Sequence, residues 1–213
     1  MAEHEAVTAR PRRVAFALRH FGLGTKAVLD VGCGAGEHLV HFGPGSMGPE
    51  LQERLVAEAR ARGLEVRQWD VSRGLPADLA GRFDAVWCSN FLEHVMSPHL
   101  FLLDCRQALR PGGLVIAVVP LTRRLAFGPW RGHLAADHVS FFTSATLRLT
   151  VERAGYEMVF LGTHTLPWLP RWVAAALRVV APGVIVAARP IQGFQYPAKA
   201  HKRLVDGRVE YLP

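Results

Sequence analysis

The sequence predicts an α/β fold on a mainly parallel sheet, and three observations lead there. Short apolar runs of strand length alternate with stretches of helical spacing along most of the chain. The first run, AVLDV at 27–31, ends on closely spaced glycines. Half of the 213 residues are hydrophobic and a fifth are charged, which suits one packed domain rather than a disordered chain.

The elements follow in order. Residues 27–31 read as a strand, 49–63 as a helix, and LEVRQWDV at 64–71 as a strand of alternating polarity. The continuous apolar runs at 83–90 and 113–120 suit buried parallel strands. Between them, residues 97–113 form a helix with Ser97 as N-cap, Pro98 at the first helical position and Pro111-Gly112-Gly113 as the stop. Residues 121–142 are loop-like. The stretch 143–157 is a helix capped by Thr143 and stopped at Gly155, and MVFLGT (158–163) and VIVAAR (184–189) are strands. Strands joined through helices imply crossover units and a parallel sheet.

Residues 1–24 form an N-terminal helical flank, 25–189 the main domain and 190–213 a basic tail. An apolar insert at about 165–183 is too broken by arginines and prolines to span a bilayer. It leaves two readings, a peripheral membrane contact through 165–189 or packing on the domain or on a second copy in a homodimer.

The formal charge of +7 sits mainly at the ends: residues 1–26 and 189–213 carry +6 and the centre +1. A near-neutral centre argues against a nucleic-acid groove and for solvated basic ends. Cys33, Cys88 and Cys105 lack metal or redox spacing, and no export signal precedes the domain, so a cytoplasmic protein with reduced thiols is expected.

The strongest motif is VLDVGCGAGEH at 28–38. Glycines at a strand's end bring backbone N–H groups close to a ligand. The dinucleotide fingerprint would place its third glycine at Glu37, where a carboxylate repels a pyrophosphate. Asp30 instead suits a cationic amino group. GPGSMGPE at 43–50 is rich in turn residues, yet Asp30 and Glu50 lie twenty residues apart, the spacing at which a carboxylate reaches a ribose. This stretch therefore reads as a short helix ending near His41-Phe42, a stop at Gly43-Pro44-Gly45 and a brief strand with Pro49 near its end.

LDVGCGAG resembles motif I of class I S-adenosylmethionine-dependent methyltransferases of the small-molecule branch. Glu50, Asp70, FDAVWCSNFLEHV and LRPGGLVIAVVP follow in family order. The resemblance implies a Rossmann-like, doubly wound sheet of seven strands, order 3-2-1-4-5-7-6 with the last antiparallel, and S-adenosyl-L-methionine as cofactor. It places Asp30 and the turn Gly32, Cys33, Gly34 and Gly36 at the methionine part. Glu50 would take the ribose hydroxyls, Leu51 the adenine face, Asp70 and Val71 the adenine edge, and Ser89 and Asn90 the methionine end.

Methyl transfer from a sulfonium needs an aligned acceptor and, for a hydroxyl, a base. Candidate catalytic histidines are His138, His133 and His94, with His138 first because it falls where the family places acceptor-side residues. Glu93-His94 resembles a signature that in some branches touches a divalent ion. Those branches carry a further carboxylate near Asn90 that this chain lacks, so no metal is expected. No base-flipping motif follows the fourth strand. The expected partner is a small-molecule, lipid or glycan acceptor methylated on oxygen. Transfer to nitrogen, carbon or a macromolecule, or a catalytically silent cofactor-binding protein, are the alternatives.

Overall fold

The computed structural model describes residues 11–121, 137–162 and 183–195, and the backbone of 202–205 and 208–211. Five strands form one sheet, in the order β1 (Val28–Val31), β4 (Phe83–Ser89), β5 (Leu109–Pro120), β7 (Gly183–Pro190) and β6 (Tyr156–Gly162). β1, β4 and β5 are parallel, and β7 runs antiparallel to both of its neighbours. β2 (Gly48–Glu50) and β3 (Val66–Gln68) form a parallel pair. Asp30 N donates to Met47 O at 2.9 Å and Gly32 N to Pro49 O at 3.0 Å, which sets β2 alongside β1.

Strand periodicity divides the core. Val28, Ala85, Trp87, Ile116, Val118, Ile185 and Ala187 point to one face, where α1 (Arg12–Phe21) covers them with Val14, Phe16, Ala17 and Phe21. Leu29, Val31, Val86, Cys88, Val115 and Ala117 point to the other, against α3 (Pro98–Ala108) and α4 (Ser144–Arg153). The N-terminal flank is thus not a solvated basic end. Its apolar residues at i, i+3 and i+7 dock a helix on the sheet while Arg12, Arg19 and His20 stay exposed.

The predicted caps are present. Ser97 Oγ accepts from Leu100 N, and Thr143 and Thr146 form a reciprocal capping box. Two boundaries differ from expectation. α3 stops at Ala108, and Pro111-Gly112-Gly113 lies inside β5, where the register with β4 slips between Phe83–Leu109 and Ala85–Leu114. Pro-Gly-Gly here makes a bulge, with Gly112 at φ 80°, rather than a helix stop. The helix expected after motif I is reduced to turns and a single 3-10 turn at Leu39–His41, and α2 occupies only Glu53–Ala61 because 48–50 belong to β2.

Within the basic tail, Lys202–Val205 and Arg208–Tyr211 pair as an antiparallel hairpin, β8–β9. Ahead of it, the Arg106 guanidinium lies over the rings of Tyr156 and Phe194 and donates to the carbonyls of Gly155 and Ile191, fastening the chain after β7 to α3. The apolar insert lies outside the described residues except for Gly183, which opens β7. Among the described residues no helix is long and apolar enough to cross a membrane.

Candidate active site

The carboxyl ends of the parallel strands gather the predicted cofactor residues. β1 ends at Asp30 and Val31 and enters a turn in which Gly32, Gly34 and Gly36 all take positive φ, at 68°, 57° and 87°. A side chain would be strained at each. A Cβ on Gly32 would meet the Phe91 ring at 2.7 Å, and one on Gly36 would meet Leu64 at 2.2 Å. The turn is therefore drawn tightly between β4's exit and the chain entering β3.

Asp30 is buried, and its Oδ2 has no hydrogen-bond partner. Burial first, then the charges of Glu37 and Glu50, raise its carboxyl well above the usual range. A cationic partner would relieve that cost. Glu50, also buried, accepts from Gly34 N at 3.0 Å through Oε2 and from Gln52 N at 2.9 Å through Oε1. Cys33 is buried behind the turn, and β2 lies so close that a Cβ on Gly48 would stand 2.4 Å from its Sγ.

Next to Glu50, Leu51 is 61% exposed, an apolar surface left open at the end of β2. Asp70 and Val71 follow β3. Asp70 caps a 3-10 turn by accepting from Ser72 N and pairs with Arg73 at 3.6 Å; the hydrogen bond to Ser72 holds its carboxyl below the usual range. β4 ends at Ser89 and turns at Asn90, the one non-glycine with positive φ among the described residues, at 52°.

Two residues at this edge have no counterpart in the sequence reading. Arg13, on α1, donates to Ser89 Oγ at 3.0 Å, placing a guanidinium over the exit of β4. Its signal is the apolar pattern Val14, Ala17, Phe21, which docks α1 and carries Arg13 with it. His38 accepts from Trp87 Nε1 at 3.2 Å. Burial, with the nearby Arg13 charge, lowers its pKa to about 4, so it stays neutral.

The histidines form a second group. His94 Nδ1 lies 3.2 Å from Asp137 O and 3.4 Å from Asp137 Oδ2, and its ring meets His138 edge-on with centroids 4.8 Å apart. Val139 N and Ser140 N both donate to the Glu93 carbonyl, clipping the His138 segment to the chain after β4. The Glu93 carboxylate is buried without a hydrogen-bond partner, and burial raises its pKa. Glu93, His94 and His138 bring ligand-type atoms within 4.8 Å of one another, the place among the described residues where a cation would find donors. His133 lies outside the described residues.

Comparison with known proteins agrees with this arrangement. Residues 2–161 match the family model described as "Methyltransferase domain". A ubiquinone biosynthesis O-methyltransferase of Azoarcus sp. is 32% identical over 176 residues, covering 73% of this chain and 74% of the relative. One of Methylococcus capsulatus is 36% identical over 113 residues; there the match spans about half the length of each chain. An S-adenosylmethionine-dependent methyltransferase of Mesorhizobium loti shares the fold with a TM-score of 0.60 at 19% identity, covering 82% of this chain and 95% of that one. A glycine turn over a buried acid, on this sheet and within a matching sequence, has one reading: the chain belongs to the methyltransferase domain family and is an S-adenosylmethionine-dependent methyltransferase.

Proposed function

We propose that the enzyme methylates oxygen of a small-molecule acceptor. The observation that carries the cofactor half is the buried Asp30 carboxylate, short of one partner, beneath a turn tied by Gly34 N to Glu50. Such a site fits the cationic amino group of a methionine moiety and a ribose diol. In this reading Asp30, Gly32, Cys33, Gly34 and Gly36 hold the methionine part, and Glu50 the ribose. Leu51, Asp70 and Val71 bound the adenine, and Ser89 and Asn90, with Arg13, face the methionine carboxylate end. β2–β3 continues the five-stranded sheet, giving seven strands in the order 3-2-1-4-5-7-6 with helices on both faces.

S-adenosyl-L-methionine supplies an electrophilic methyl group when bound. The protein's own part is to align the acceptor oxygen and to accept its proton. His138 is assigned that proton, with His94 at its ring edge and His133 held as a further candidate. The names of the relatives favour oxygen as the acceptor atom. The three buried free thiols fit a reducing compartment, and we assign the protein to the cytoplasm.

Isothermal titration with S-adenosylmethionine and S-adenosylhomocysteine tests the cofactor half, and absence of binding to both would sink it. A mass-spectrometric screen for methylated products in cell extract tests the acceptor half. Products methylated only on nitrogen or carbon would overturn the O-methyl assignment. Binding without turnover of any pool would favour a silent cofactor-binding protein.

A further inference from the structure

A cavity of about 370 Å³ opens at the carboxyl ends of β4 and β5, between Arg12 and Arg13 of α1, Asn90, and the apolar row Val118, Val119 and Pro120. Its size suits a single small ring with substituents. It meets the cofactor residues only at Asn90; the others lie along β1, β2 and β3, on the opposite side of the point where strand order reverses. An acceptor must approach from outside the cofactor and close to its methionine end, and this cavity has that position.

The charge of the cavity is one-sided. Arg12 and Arg13 line it, and none of its lining residues is acidic. Neither arginine forms an ion pair among the described residues, whereas Arg67, Arg110 and Arg148 each pair with a carboxylate. Arg13 is already directed to Ser89 Oγ, at the methionine end. Arg12 is exposed, next to it on the first turn of α1. A planar guanidinium at the mouth of an apolar cavity matches a carboxylate in two parallel hydrogen bonds better than it matches any neutral group.

Resting on the methyltransferase reading above, we propose that this cavity is the acceptor subsite and that it selects a small aromatic acceptor bearing a carboxylate, held by Arg12. The ring lies on Val118, Val119 and Pro120 and the carboxylate meets the guanidinium. The hydroxyl to be methylated then turns toward Asn90 and the cofactor.

The test uses the full chain saturated with S-adenosylhomocysteine and two probes that differ in one group, 3,4-dihydroxybenzoate and catechol. Calorimetry should show the benzoate binding at least about tenfold more tightly, with the difference shrinking as salt rises. Arg12→Ala should erase the preference while leaving S-adenosylhomocysteine affinity unchanged, and Arg12→Lys should retain part of it. Equal affinities, no binding of either probe, or a preference that survives Arg12→Ala would each overturn the proposal while leaving the cofactor reading intact. Failure of the wild-type chain to bind S-adenosylhomocysteine would overturn both.

Discussion

The Glu50 carboxylate accepts the Gly34 backbone N–H at 3.0 Å, so the end of β2 is bonded directly to the middle of the glycine turn. With Gln52 N on its other oxygen, the side chain already holds both walls of the cofactor site in place. Glu50→Ala removes a charged acceptor from two backbone donors and from the ribose. S-adenosylmethionine affinity should fall by about 1.5–3 kcal/mol, as calorimetry would read it. The melting temperature should fall as well, because Gly34 N and Gln52 N lose their partner. Unchanged affinity would remove Glu50 from the site.

Gly48 tests the closeness of the same two walls. Alanine there would drive its Cβ to 2.6 Å from the Cβ of Cys33 as well as against its Sγ. We expect Gly48→Ala to lower stability by about 1–3 kcal/mol in denaturant unfolding and to weaken cofactor binding by displacing the turn. Adding Cys33→Gly removes the obstructing side chain, so the double variant should recover part of the loss. Strict additivity of the two changes would show that the contact is not the cause.

His138→Ala should leave S-adenosylhomocysteine binding intact and reduce kcat by about 10²-fold with a hydroxyl acceptor. Single-turnover methyl transfer is the measurement, and an unaltered rate would exclude His138 as the base. His94→Ala, which removes only the neighbouring ring, should have the smaller effect.

The buried His38 gives a pH signature. Its folded pKa is lowered to about 4 against an ordinary value of 6.5, so between those limits the unfolded chain binds a proton that the folded one does not. Its contribution is fully present above pH 6.5 and is lost as pH falls toward 4, in all by about 3 kcal/mol. Asp30 and Glu93, with raised pKa values, tilt the curve the other way, since their folded forms keep protons as pH rises. The readout is therefore the wild-type stability minus that of His38→Gln, which should decline from pH 6.5 to 4. A flat difference would contradict the burial of the ring.

Much of this site was legible in the sequence. The strand-glycine motif, Glu50 at its spacing from Asp30, and the caps at Ser97 and Thr143 are local signals, each set by a few adjacent residues. What escaped was tertiary. Pro111-Gly112-Gly113 carries the same local chemistry in a helix stop and in a strand bulge, and only pairing with Phe83 and Ala85 separates them. Arg13 reads as one of several N-terminal basic residues until α1 docks and brings it to Ser89. The Glu93 clip on Val139 and Ser140 joins segments more than forty residues apart, and nothing in either segment alone announces it.

The shortened crossover between β1 and β2 also constrains how this chain can vary. A full helix there would absorb an added residue by shifting its packing or fraying at one end. Here turns and a single 3-10 turn link Gly36 to Glu50, and Gly43 N is anchored to the carbonyls of Leu23 and Lys26 midway. An insertion or deletion between Leu39 and Met47 would have little slack to hide in and would move Glu50 off Gly34. Length in this segment, more than the identity of its turn residues, is what divergence must preserve.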